Sequence, residues 1–189
     1  MNAEQQAAVV DYMAGRLSYE DLVRRTGIDP VEQPRVAELE LREGLAARDA
    51  GTIECALLLA FRFELVTPDM ASLLALLFLE PWHRKHEDIA KILQELREPA
   101  TADALAGAAV VKHEYLAYDD SHALARKCIW ALADIGTPTA REHLERLSGN
   151  PDPEVAAYAR KRLDNWEHEL PRKRPSAPGG EGHSPPPKS

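Results

Sequence analysis

Only two cysteines, Cys55 and Cys128, occur in 189 residues. That is too few for a disulfide framework. Both stand among apolar neighbours, which points to inert core thiols and a reducing cytoplasm. Long hydrophobic runs are missing too. No run is longer than Leu73–Leu79, which falls far below the ~20 residues that cross a bilayer, and the polar amino-terminal residues lack the pattern of a secretory signal. There is no glycine-rich phosphate loop and no strand to carry one. The helix signature that joins two histidines and a glutamate around zinc is absent in either order.

What is present is helical periodicity. In Asp119–Ser148, the residues Leu124, Cys128, Ala131, Leu132 and Ile135 form one apolar stripe. Gly136 suits a left-handed C-cap, Thr137 an N-cap, and Pro138 the first helical position. A second helix carries Ala140, Leu144 and Leu147. The unit is helix, tight turn, helix, and it recurs. Ile89, Leu93 and Leu96 take the places of Cys128, Leu132 and Ile135, and Leu58, Phe61 and Leu65 those of Ile89, Ile92 and Leu96. Pro68, Pro99 and Pro138 mark the same turn in three copies, while Val155, Ala159, Leu163 and Trp166 begin a fourth without a clear second helix. Arg62 and Lys85 depart from the apolar template. Pro68 to Pro99 is 31 residues and Pro99 to Pro138 is 39, so about eight extra residues separate the second and third copies.

This skeleton resembles the HEAT family of helical repeats, in the short form first named from phycobilisome lyases. Pro151–Trp166 (PDPEVAAYARKRLDNW) and Ala123–Leu147 carry the resemblance most clearly. It implies an all-α, HEAT-like α-α superhelix, a short solenoid, over residues 52–170. Residues 1–51 read as an amino-terminal helical cap, because a repeat array needs its open end covered. In that part Glu4–Met13 forms a first helix with Ala7, Ala8, Val10 and Tyr12 as candidates for burial. Ser18 opens a short helix ending near Gly27, and Pro34–Ala50 makes a third, with Val36, Leu39 and Leu45 inward. Ala56–Phe63 and Leu73–Leu79 are apolar nearly all round and are expected to be covered on both flanks. Residues 171–189 hold six of the fourteen prolines and no aliphatic side chain larger than alanine, the composition of a disordered tail.

Charge is unevenly placed. The total is −8. The tail has four basic residues, Arg172, Lys173, Arg174 and Lys188, against Glu181, a balance of +3, which leaves −11 on the body. An acidic body repels phosphate backbones and favours basic partners. The Arg172–Arg174 run reads as a solvated patch or as a contact for an acidic partner.

Histidines are the leading candidates for chemistry. His83 and Glu87 would share a helix face if the helix begins that early, and His113, Glu114, Asp120 and His122 follow later. A metal site needs three or four such groups to converge. The fold also resembles that of deoxyhypusine hydroxylase, which binds a di-iron centre through His-Glu pairs at equivalent places in successive repeats. Here the repeat equivalents of His86-Glu87 are Cys55-Ala56 and Ala125-Arg126, so the pairs are out of register. No catalytic, cofactor or metal residue is assigned. Trp82 and Trp130 lie off the main stripe, either packing between repeats or anchoring a partner.

More narrowly, the chain resembles bacterial HEAT-like immunity proteins of polymorphic-toxin systems through Tyr115–Asp120 (YLAYDD), Arg126–Pro138 (RKCIWALADIGTP) and Trp82–Ile89 (WHRKHEDI). The resemblance implies a non-catalytic, cytoplasmic protein that covers a cognate, basic toxin domain and binds neither nucleic acid nor membrane. The contact residues expected are Glu87, Asp88, Glu114, Tyr115, Tyr118, Asp119, Asp120 and Asp134. Tyr115 and Tyr118 could equally pack the longer loop onto its neighbours. The alternatives are an adaptor or lyase-like accessory factor acting on another protein, and a metal-dependent HEAT-repeat enzyme.

Overall fold

The computed structural model describes residues 1–117 and 122–168. The stretch 118–121 and the Pro-rich tail from 171 lie outside them. The fold is an all-α, HEAT-like α-solenoid. Its helices are α1 (Ala3–Met13), α2 (Tyr19–Thr26), α3 (Val36–Ala47), α4 (Ala50–Arg62), α5 (Ala71–Phe78), α6 (His86–Leu96), α7 (Ala102–Ala108), α8 (Ala123–Ile135), α9 (Pro138–Ser148) and α10 (Pro153–Asp164). Among the described residues none is long and apolar enough to cross a membrane.

The helix ends follow from local chemistry. Gly136 takes a left-handed conformation (φ 66°) and closes α8. One residue on, the Thr137 side chain accepts from the Ala140 amide at 3.3 Å and Pro138 opens α9. The recurring proline does the same work twice more. Pro68 and Pro99 each start a single 3-10 turn that runs into α5 and α7. Proline suits that place because its missing N–H would have no intrahelical acceptor there.

Two layers result. One holds α4, α6, α8 and α10; the other holds α3, α5, α7 and α9. Across the layers α3 pairs with α4, α5 with α6, α7 with α8 and α9 with α10. Within them α6 packs beside α8, α8 beside α10, α5 beside α7 and α7 beside α9. Helix α1 lies against α4, and α2 against α1. One apolar core runs between the layers from Val9 to Trp166. It takes in the expected stripes: Leu124, Cys128, Leu132, Ala140, Leu144, Leu147, Val155 and Ala159 are all buried.

Several local expectations are corrected. The helix expected over Pro34–Ala50 runs only over Val36–Ala47, and Ala50 already opens α4. Arg48 turns left-handed (φ 52°), and the Asp49 carboxylate caps α4 by accepting from the amides of Gly51 (2.9 Å) and Thr52 (3.3 Å). On α3 the buried face is Val36, Ala37, Leu41 and Gly44, leaving Leu39 exposed. Gly44 sets this rotation: a β-carbon there would sit 2.7 Å from Ile53 Cδ1, so the helices meet along the glycine. On α1 the inward residues are Ala8 and Val9, with Val10 outside. Leu76 and Leu79 are 60% and 58% exposed, and Phe61 is partly so. The α4 and α5 segments therefore keep one uncovered flank each.

Burial separates two leucines that look alike in sequence. Leu132→Ala, at a fully enclosed site, is expected to cost about 2–5 kcal/mol. Leu76→Ala is expected to stay within about 0.5 kcal/mol of the parent. Urea denaturation followed by circular dichroism measures both; comparable losses would contradict the placement of the core.

Candidate functional site

The layer of first helices presents a surface linked from helix to helix by side chains. Helix α4 meets the start of α6 through Lys85 Nζ and Glu54 Oε1 at 2.5 Å. Farther along, the Lys91 ammonium lies 5.5 Å from the centre of the Phe61 ring. Between α6 and α8, Glu87 pairs with Lys127 at 3.1 Å and Gln94 donates to Asp134 Oδ2 at 2.6 Å. Between α8 and α10 the Arg162 guanidinium stands 5.1 Å over the Trp130 ring. Trp130 remains 41% exposed. The side chains at 87, 91 and 94 recur at helical spacing, so one stripe of α6 contacts neighbours on both sides.

The expected contact residues fall in different settings. Glu87 and Asp134 sit on this surface with the partners just named. Asp88 is half exposed, 4.0 Å from Lys85. Glu114 is exposed at the start of a 3-10 turn, Glu114–Leu116, in the inserted loop. Tyr115 is half-buried and bonded inward. Tyr118, Asp119 and Asp120 lie outside the described residues.

The inserted loop meets the start of α6 in a column of rings. His83 and His86 stack with centroids 4.3 Å apart, and His86 and His113 lie 3.9 Å apart. Tyr115 reaches His86 Nδ1 through its hydroxyl at 2.8 Å. The ring nitrogens of the first two histidines are committed. His83 Nε2 faces the Leu77 carbonyl at 2.7 Å while its Nδ1 accepts from the Lys85 amide at 3.2 Å. His86 Nε2 faces the Glu80 carbonyl at 2.9 Å. A carbonyl only accepts, so both rings carry a proton on Nε2, and the amide held by His83 Nδ1 leaves that ring neutral. Burial holds all three imidazoles below their ordinary range; His86, beside His83 and His113, is pushed down to about 4. Burial also raises the Tyr115 phenol to about 12.

The structure thus gathers His83, His86 and His113, three of the histidines weighed as ligands, but with the Nε2 atoms of His83 and His86 turned to backbone carbonyls, while His122 stands apart on Asp152. Helix α6 begins only at His86, so His83 precedes it and shares no helical face with Glu87. Among the described residues no three or more His, Cys, Asp or Glu are grouped to hold a metal ion. The column itself could not be read from spacing, because it forms only when the loop folds back over α6. The clue was the eight-residue insertion with a histidine inside it.

Beyond the loop, a cavity of about 860 Å3 lies between it and the entry to α10. Val110, Val111, Leu124 and Val155 supply apolar walls. At its polar side Lys112 and His122 converge on Asp152, at 3.4 and 2.9 Å. Neither cysteine lines it. Burial raises the Cys55 thiol to about 11, and raises Cys128, enclosed between the layers, further still.

No protein-family model, no curated protein and no solved structure matches the chain.

The thiol settings predict slow chemistry. At pH 8 about one Cys55 in a thousand is thiolate, so iodoacetamide is expected to leave both cysteines unmodified in the folded protein over an hour and to label both in urea. Mass spectrometry reads the outcome, and rapid labelling of Cys128 without denaturant would contradict its enclosure.

Proposed function

We propose that the chain is a non-catalytic protein-binding module. More narrowly, we read it as an immunity protein that works in the cytoplasm by covering a basic toxin domain. The observation that carries this reading is the surface on α4, α6, α8 and α10. It joins a ridge of charges to an aromatic ring, Trp130, that keeps 41% of its surface exposed beside Arg162. A large ring in such a setting serves as an anchor for a partner, with charges around it guiding approach. The body's charge of −11, from a total of −8 and a tail of +3, selects a basic partner over nucleic acid. Glu114 and Asp88 add acids at the loop end of the same layer, and Asp119 and Asp120 follow the loop in sequence. All-α architecture without a grouped metal set among the described residues accords with binding in general. The toxin-neutralising role rests on the resemblance of Trp82–Ile89, Tyr115–Asp120 and Arg126–Pro138 described above.

The test uses the full chain and the domain encoded by the adjoining upstream reading frame. Trp130→Ala is expected to weaken the complex roughly 30-fold, about 2 kcal/mol. Reversal of Asp88, Asp119 and Asp120 to lysine is expected to slow association about tenfold at low salt, with the difference fading at high salt. Binding followed by surface plasmon resonance at two ionic strengths separates the two effects. A neighbouring frame that encodes a biosynthetic enzyme, or a complex indifferent to both sets of changes, would refute the reading in favour of an accessory factor.

A further inference from the structure

The histidine column closes over a short segment with few other holds. Residues 110–117 carry Val110 and Val111 half exposed, and the segment is fastened by Leu116 packing on the core, by the His113 stack, by the Tyr115 hydroxyl on His86 and, at the surface, by Lys112 on Asp152 at 3.4 Å. The Arg84 guanidinium lies 6.0 Å over the Tyr115 ring from the preceding turn. His86 is completely covered. Part of that cover belongs to the frame, His83 on one face and Phe78 of α5 at 6.1 Å. The rest, His113 and Tyr115, belongs to the segment and can leave without disturbing a helix.

Among the described residues, the carboxylates around the column are engaged elsewhere or exposed. The Glu80 carboxylate, which faces His83, accepts from Trp82 Nε1 at 2.7 Å and lies 3.6 Å from Arg48. On α6, Glu87 is paired with Lys127 of α8, and Asp88 is half exposed beside Lys85. From α4, Glu54 holds Lys85. Arg84 and Lys85 place positive charge on the same turn as His83. On the loop, Glu114 is exposed. A protonated His86 would then sit in a dry stack between two further imidazoles, an arrangement that disfavours the charged form.

We infer that the column is an acid-operated latch: His86 takes up a proton only when water reaches it, water reaches it only when residues 110–117 lift, and so acidification releases that segment while the helical layers stay folded. The sign follows from linkage. A histidine whose ordinary value, near 6.5, is depressed in the closed form binds more protons when open. The closed form is therefore whole above about pH 6.5 and loses ground as pH falls from there toward 4. Local opening of a weakly held loop costs less than global unfolding, so the loop yields first. The device acts whether or not the loop touches a partner.

Hydrogen exchange on the untagged full chain tests this. The amides of Leu116 and Ala117 donate to the carbonyls of His113 (3.0 Å) and Glu114 (3.1 Å) and report the closed loop. After correction for intrinsic rates, their protection is expected to fall roughly tenfold or more between pH 7.5 and 5.0. Amides from Cys128 to Leu132 in α8 are expected to hold theirs. Loop protection that ignores pH, or loop and α8 amides that fail together, would overturn the latch. In His86→Phe, which keeps a ring beside Phe78 but cannot titrate, the pH response is expected to shrink severalfold; an undiminished response would overturn it. A measurement on the unmodified protein does not depend on that variant folding. Imidazole nitrogen shifts are expected to show His83 and His86 neutral and protonated on Nε2 at pH 7.5, with His86 titrating well below 6.5, and an ordinary midpoint for His86 would count against the proposal.

Discussion

The structure depends on the apolar seam between its two helical layers. Each helix has one face that cannot remain in water, and no single pair can cover both faces of a helix within the array. Leu93 and Leu132 in one layer and Leu105 and Leu144 in the other have essentially no exposed surface, and they lie in one continuous core. That seam fixes everything else by exclusion. What is left outward on α4, α6, α8 and α10 is charge, amide and ring, and these side chains join helix to helix where the backbone has no hydrogen bonds to spare.

Much of this was legible in the residues. A stripe at helical spacing, a left-handed glycine, a threonine cap and a proline in one recurring order state α8, its turn and α9 almost atom by atom. The same order, with Pro68 and Pro99, announces the other second helices. The misread places share a cause: burial in a stack depends on where the neighbour lies. Gly44 rotates α3 by letting α4 approach, and no count of leucines along α3 reveals it. Leu76 and Leu79 look like core because they are leucines in an apolar run, but α5 has a flank with nothing over it. At Arg48 and Asp49 the signal was present, since an aspartate ahead of an apolar run is a ready N-cap. It was hidden by the apparent continuity of the pattern across it.

The candidate surface divides in the same way. Its acids could be named from sequence, but their engagement could not. Glu87 with Lys127 and Gln94 with Asp134 are matched by the packing of α6 against α8, an alignment that exists only once the repeats stack. Surface pairs of this kind contribute little to stability. Their effect here is to hold the ridge in a fixed pattern of charge around Trp130 rather than as a cloud of mobile side chains. The histidines illustrate the opposite failure. Their presence suggested ligands, yet backbone carbonyls claimed the nitrogens first, and the cluster became part of how the loop is held.

The pairing of helices also bears on how the chain comes together during synthesis. Apart from α1 on α4, every main docking joins a helix to the next in the chain, as α3 to α4 and α9 to α10, or to the next but one, as α6 to α8. Such contacts close over short stretches of polypeptide and ask for little loop entropy. A growing chain can therefore lay each hairpin onto the one before as it leaves the ribosome. Exposed seams would then be brief, and assembly would advance from the amino-terminal side without waiting for the last residue.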